Sequence, residues 1–177
     1  MLPMSASPAV PAFDIRPARD EDVPAVLAMI RGLADFERLA HLCVASEADL
    51  ADALFSPRPA AEVLVAALDG APAGFALFFH NFSTFLGRRG LWLEDLYVRP
   101  AYRRQGCARS LLAALAAIAR DRGCGRFEWA VLDWNAPAID FYRTMGATVL
   151  PDWRIVRVTG PALAAFSTSP GADAGDV

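Results

Sequence analysis

Ten consecutive residues, Arg99-Pro100-Ala101-Tyr102-Arg103-Arg104-Gln105-Gly106-Cys107-Ala108, join an apolar strand pattern to an amphipathic helix and crowd three arginines around the helix start. A helix N-terminus already carries about half a positive charge, so arginines placed there conflict with the backbone unless something anionic lies between them. A bound phosphate resolves the conflict. Gly106 has no Cβ, which lets the backbone approach a ligand, and the unpaired N–H groups of the first turn can converge on pyrophosphate oxygens. The segment reads as a cofactor cradle at a strand-to-helix turn.

The rest of the chain must supply a layered domain to hold that turn. With 177 residues, 55% of them apolar, the chain can bury a sizeable core and fits one domain. A net charge of −3 argues against a dominant phosphodiester-binding role, because non-specific nucleic-acid affinity rests on many basic contacts. Cys43, Cys107 and Cys124 form no CxxC pair and leave an odd thiol in any disulfide scheme, which favours a reducing, cytoplasmic setting. No leader or membrane segment is expected: residues 1–12 lack a basic region before an apolar core, and the longest apolar run, residues 111–119, is about half a membrane span.

The ends, residues 1–11 and 167–177, are poor in large apolar groups and are expected to be disordered, leaving a folded domain over 12–166. Phe13-Asp14-Ile15-Arg16 predicts a first strand. Asp20-Glu21-Asp22 then opens a helix with Val23, Val26, Leu27, Ile30 and Leu33 on one face. Ser46-Glu47-Ala48-Asp49 resembles a capping box for a second helix. Residues 63–68 and 74–79, around Asp69-Gly70-Ala71-Pro72, predict a hairpin, and residues 91–98 a further strand. The next helix, about 106–122, has Cys107, Leu111, Leu115 and Ile118 as its core stripe and Gly123 just past its end. A strand over 127–132, a helix capped by Asn135 and closed by Gly146, and a last strand over 153–158 complete the pattern. The order indicates an α+β or α/β three-layer domain.

The common phosphate, hydrolase and metalloprotease motifs fail on spacing, and His41 and His80 are too few for metal or histidine-triad chemistry. Arg103-Arg104-Gln105-Gly106-Cys107-Ala108 fits instead the Q/R-x-x-G-x-G/A signature of the GNAT acetyltransferase superfamily, in the strand–helix setting where that family carries it. Gly74-Phe75-Ala76, Leu93-Glu94-Asp95-Leu96-Tyr97-Val98, Ala130-Val131-Leu132-Asp133-Trp134-Asn135 and Ile139-Asp140-Phe141-Tyr142 resemble the diamine (spermidine/spermine-type) N-acetyltransferases. Ala-Val-Leu-Asp-Trp-Asn is most similar to their thialysine-acetylating branch. The resemblance covers residues 13–160.

The resemblance implies a single-domain GNAT fold, α/β (α+β), with a mixed central sheet of about six to seven strands flanked by helices. It implies acetyl-CoA as cosubstrate, no metal, a small-molecule primary amine as acceptor, and a homodimer. Pyrophosphate would lie on the backbone of Arg104, Gln105, Gly106, Cys107, Ala108 and Arg109, with Arg103 also on the cofactor, pantetheine would run beside Leu96, Tyr97 and Val98, and Asn135 with Ala138 would touch the far arm. Tyr142 would protonate the departing thiolate, and its phenol is protonated at neutral pH; spacing alone reads it equally well as a core aromatic. Glu94 would bind the ammonium and accept its proton. Phe36, Glu37, Ser83, Glu128, Trp129 and Trp153 would line the acceptor channel.

Glu94 and Asp95 interrupt an apolar strand, and adjacent strand residues point to opposite faces, so Asp95 is expected to be structural while Glu94 faces the amine. Salt bridges to nearby arginines are the alternative for both. Cys107 lies on the apolar stripe of its helix, which favours core over nucleophile, so transfer is expected to be direct, without an acetyl-enzyme. The sequence departs from the polyamine-acetylating pattern at Ser83, where those members carry aspartate, and at Pro151, where they carry glutamate. Both changes remove negative charge from the channel and favour a lysine-like or short diamine acceptor over long polycations. A GNAT enzyme for antibiotic or protein amines, and a non-catalytic acyl-CoA sensor, are the competing readings.

Overall fold

A strand that is apolar at six consecutive positions must be covered on both faces, and Glu62–Leu68 (β2), apolar from Val63 on and buried at its five central residues, lies inside a sheet rather than at its edge. It belongs to the first of two compact units, Met1–Ala130 and Val131–Val177. The computed structural model describes residues 12–168, so the ends expected to be disordered, apart from residues 167 and 168, lie outside the described residues.

In the first unit the sheet runs β1 (Asp14–Pro17), β2, β3 (Ala71–Ser83), β4 (Arg88–Val98) and β5 (Phe127–Trp129), in that order. Its first four strands are antiparallel neighbours, and β5 runs parallel to β4. The turn between β2 and β3 needs only Asp69 and Gly70, both at positive φ, the arrangement that matches strand twist in a two-residue hairpin. One face carries α1 (Val23–Phe36) and α2 (Glu47–Phe55), whose Val26, Leu27, Met29, Leu50 and Leu54 form a cluster with Val63, Val65 and Phe75. Ser46 caps α2 as expected: its Oγ accepts the Asp49 N–H at 3.2 Å, and the Asp49 carboxylate accepts the Ser46 N–H at 2.9 Å. Arg16 holds the buried Asp22 at the start of α1 with paired hydrogen bonds of 2.6 and 2.9 Å.

The helix α3 (Cys107–Asp121) packs on the same sheet and buries Cys107, Leu111, Leu112, Leu115 and Ala119. Ile118, expected in that stripe, is only half-buried, and Ala119 takes its place. Gly123, at φ 68°, follows the helix end as expected. In the second unit, α4 (Ala136–Thr144) and α5 (Gly160–Thr168) are the helices.

Three expectations are corrected. The described sheet has five strands rather than six to seven. Residues 153–158 form no strand: none of them pairs with another strand among the described residues, and a strand exists only through such pairing. The strand expected over 127–132 stops at Trp129, because the Leu132 carbonyl accepts the Asn135 N–H at 2.8 Å and turns the chain toward α4. The helix α5 was not foreseen.

Candidate active site

The strand β4 changes character along its length. Its first half pairs on both sides, with β3 throughout and with β5 at Leu91, Trp92 and Leu93. Past Leu93 the edge toward β5 has no strand partner among the described residues, which leaves residues 94–98 with one side open. An open edge is a template for an extended ligand.

The register slips at the same place. Leu77 pairs with Asp95 but Phe78 with Leu93, so Glu94 is the extra residue of a β-bulge. Side chains directly opposed in a sheet share a face. Leu77 packs against the α1–α2 cluster, so Asp95 points to that side, and Phe79 opposite Trp92 puts the indole there too. The indole Nε1–H donates to the Glu94 carboxylate at 2.8 Å. The bulge therefore cancels the alternation expected from the sequence and brings the two carboxylates together rather than onto opposite faces.

Asp95 is half-buried and makes no hydrogen bond or ion pair among the described residues. Burial, then the charges of Glu94 and Glu37, push its carboxyl up to about 6. Glu37 caps the C-terminus of α1, and burial raises its carboxyl as well. Three acids thus meet where α1 ends over the open half of β4, an arrangement suited to a cation.

The cradle begins where β4 ends. Leu96, Tyr97 and Val98 pair with Ala76, Phe75 and Gly74. A Cβ on Gly74 would stand 2.8 Å from the Tyr97 carbonyl and 3.2 Å from Cys107 Sγ, so glycine is what lets the first turn of α3 close on the strand. Gly32 does the same on α1, where a Cβ would meet the Tyr97 hydroxyl at 2.7 Å. Arg104 at φ 60° and Gly106 at φ 91° alternate left-handed backbone into the turn, a conformation that gathers N–H groups into an anion-binding concavity. Gly106 caps α3 with no side-chain bond, and no acidic residue sits in the helix's first turn. Ala108 and Arg109 follow in that turn. Arg104 has no side-chain partner among the described residues. These features fit a pyrophosphate.

The remaining expected residues have diverse settings. Arg103 donates from Nε to the Val98 carbonyl at 2.9 Å, and its guanidinium lies 5.6 Å from the ring centroids of both Phe36 and Tyr97. It thus ties the end of α1 to the cradle strand. Gln105 donates to the Ala101 carbonyl at 2.9 Å. Burial pushes the Cys107 thiol up to about 11, which suits core packing and not nucleophilic attack. Glu128 lies opposite Trp92, paired with Arg126 at 2.7 Å, and Trp129 lies opposite Leu93. Ser83 is buried, and its Oγ accepts the Leu86 N–H at 3.3 Å, closing the β3–β4 turn. In the second unit the Asn135 side chain caps α4 by accepting the Ala138 N–H at 3.3 Å, Tyr142 stands half-buried in that helix beside Phe141, and Trp153 is exposed.

The family model of the GNAT acetyltransferases matches residues 29–147. The L-ornithine N5-acetyltransferase of Arabidopsis thaliana is 38% identical to this chain, with 86% of each covered. The thialysine N-epsilon-acetyltransferase of Sus scrofa is also 38% identical, over 84% of this chain and 94% of its own. Among solved structures, an integron cassette protein from the mobile metagenome of V. cholerae superposes with a TM-score of 0.75 at 25% identity, covering 89% of this chain and 98% of that one. The chain belongs to the GNAT acetyltransferase family, as its cradle motif foretold. It is an N-acetyltransferase.

Proposed function

We propose that this enzyme transfers an acetyl group from acetyl-CoA to the terminal primary amine of a small lysine-like or ornithine-like acceptor, or of a short diamine, by direct attack in a ternary complex. The observation that carries the reading is the Glu94–Asp95 pair, brought to one face by the bulge beside Glu37, at the start of the open half of β4. The relatives named for ornithine and thialysine acetylation act on amino acids with a distal amine, which fits an acidic site of limited charge.

Bound to the uncapped turn of α3 and the open edge beside Leu96, Tyr97 and Val98, acetyl-CoA would supply the acetyl group as an activated thioester. The backbone N–H groups from Arg104 to Arg109 would hold the pyrophosphate and fix the cofactor's register. Glu94, oriented by Trp92, would bind the substrate ammonium and take its proton, directly or through water, so that a neutral amine attacks. Asp95 adds the second negative charge of the pair once it ionises above about pH 6. Tyr142 takes the role that family resemblance assigns it, donating a proton to the leaving sulfur. With a thiol pushed up to about 11, Cys107 holds its proton at neutral pH and forms no acetyl-enzyme.

The test is coenzyme A release across thialysine, lysine, ornithine, putrescine, spermidine, spermine and aminoglycosides, with Glu94→Gln and Tyr142→Phe alongside the parent. Turnover concentrated on lysine-like and short amines, falling by about 100-fold or more in each variant, is the expected result. Turnover on aminoglycosides alone, or parental rates in both variants, would refute it.

A further inference from the structure

A second cationic concavity lies at the opposite end of α3 from the cradle. Fifteen residues of helix separate the two, about 22 Å at 1.5 Å per residue. The cavity, of about 570 Å³, is lined by His80, Phe82, Arg88, Arg89 and Arg122 among others. That volume is in the range that takes a small organic ligand.

Its charges are partly assembled and partly unused. Arg122 is locked: its guanidinium grips the Glu62 carboxylate in a two-point contact, the second bond being 2.8 Å, and approaches His80 Nε2 at 3.0 Å. His80 Nδ1 lies 3.1 Å from the Gly90 carbonyl and 3.8 Å from Cys124 Sγ, so the ring is held between Arg122 and the strand. By contrast, the side chains of Arg88 and Arg89 make no hydrogen bond or ion pair among the described residues. Phe82 stands directly across from Arg89 in the β3–β4 ladder and is 61% exposed, a bare aromatic face beside that uncompensated arginine, while Arg88, one residue back at the start of β4 and opposite Ser83, lines the same cavity. Glu62 cancels Arg122, and the C-terminus of α3 contributes about half a negative charge. Arg88 and Arg89 still leave the cavity positive, by roughly one and a half charges on that count.

We propose that this cavity is a second ligand site, distinct from the cradle, for a small organic phosphate carrying a flat ring, its phosphate held by Arg88 and Arg89 and its ring laid on Phe82. Planar guanidiniums match phosphate oxygens in geometry as well as charge. The site stands independently of the acetyl-transfer reading, since nothing in it touches the cradle or the acidic pair.

The test is calorimetric titration of the full chain with AMP in the presence of saturating coenzyme A, so that the adenine and phosphate sites of the cradle are filled. The parent is expected to bind AMP saturably, the Arg88→Gln/Arg89→Gln double variant at least tenfold more weakly, and adenosine at least tenfold more weakly than AMP. Both arginines are exposed, so the double variant keeps the fold. Glu62→Gln, which frees the Arg122 guanidinium, is expected to tighten AMP binding about threefold or more. AMP binding that coenzyme A abolishes, that the double variant leaves unchanged, or that is absent up to about 1 mM would overturn the proposal.

Discussion

The two halves of β4 show how one strand can serve both stability and chemistry. In the first half Leu91 and Leu93 are buried between strands on both sides, and the polar Glu128 opposite Trp92 is paired with Arg126. In the second half one edge has no strand partner among the described residues, a bulge breaks the alternation, and Asp95 is held half-buried with no partner among those residues to offset its charge. The first half is built as packing rules would have it, and the second departs from them at Glu94 and Asp95. Departures of that kind concentrate at functional sites, because a group that the fold alone would pair or remove is kept for what it does to a ligand.

The sharpest way to break this comparison is to damage the packed half and ask whether chemistry follows. Leu91→Ala removes a side chain with no exposed surface and should cost about 2–5 kcal/mol in denaturant unfolding, while kcat/KM per folded molecule stays within about twofold of the parent. A large loss of kcat/KM without loss of stability would put chemistry in the wrong half.

A smaller effect of opposite sign is expected in the open half. The Asp95 carboxyl is raised from 3.8 to about 6, so the folded state binds that proton more tightly than the unfolded chain does. Its contribution is therefore favourable at low pH and is lost as pH rises from 3.8 through about 6, a difference of about 3 kcal/mol at 1.36 kcal/mol per pH unit. Asparagine cannot ionise. Asp95→Asn should be more stable than the parent by about 1–3 kcal/mol at pH 8, with the difference closing toward pH 4, as read by urea titrations at both pH values. A less stable variant at pH 8 would mean that the carboxylate has a structural partner.

The smallest effect sharpens the assignment of Glu94. Trp92→Phe keeps the ring and deletes the N–H that donates to Glu94, so kcat should fall by about threefold to tenfold with stability nearly unchanged, since the bond lies at the surface. An unchanged kcat would show that the indole does not orient the carboxylate.

Much of this was legible in the sequence. The helix start at Gly106 could be read from a glycine between a strand pattern and a helical stripe, and the hairpin because Asp69-Gly70 leaves the chain few other conformations. Helix starts at Ser46 and Asn135 followed from side chains that cap them. The pairing of Glu94 with Asp95 was hidden, because a bulge is a matter of register between two strands and strict alternation in one strand points the other way. The contacts of the Arg103 side chain were hidden for a related reason: the Val98 carbonyl and the two aromatic rings that engage it come from α1 and β4. Gly32 and Gly74 carried no local signal either, since their role is a close approach to Tyr97 from elsewhere in the chain.

The most direct test of the account is the pH dependence of kcat/KM for a lysine-like acceptor, between about pH 5 and 8, in the parent and in Asp95→Asn. The acceptor's own amine titrates near 10, well outside that window, so a bend within it belongs to the protein. The parent should lose activity below a bend near pH 6 as Asp95 is protonated, and the variant should be slower throughout and show no such bend. The same bend in both proteins would contradict the claim that the open half of β4 supplies a coupled carboxylate pair to the reaction.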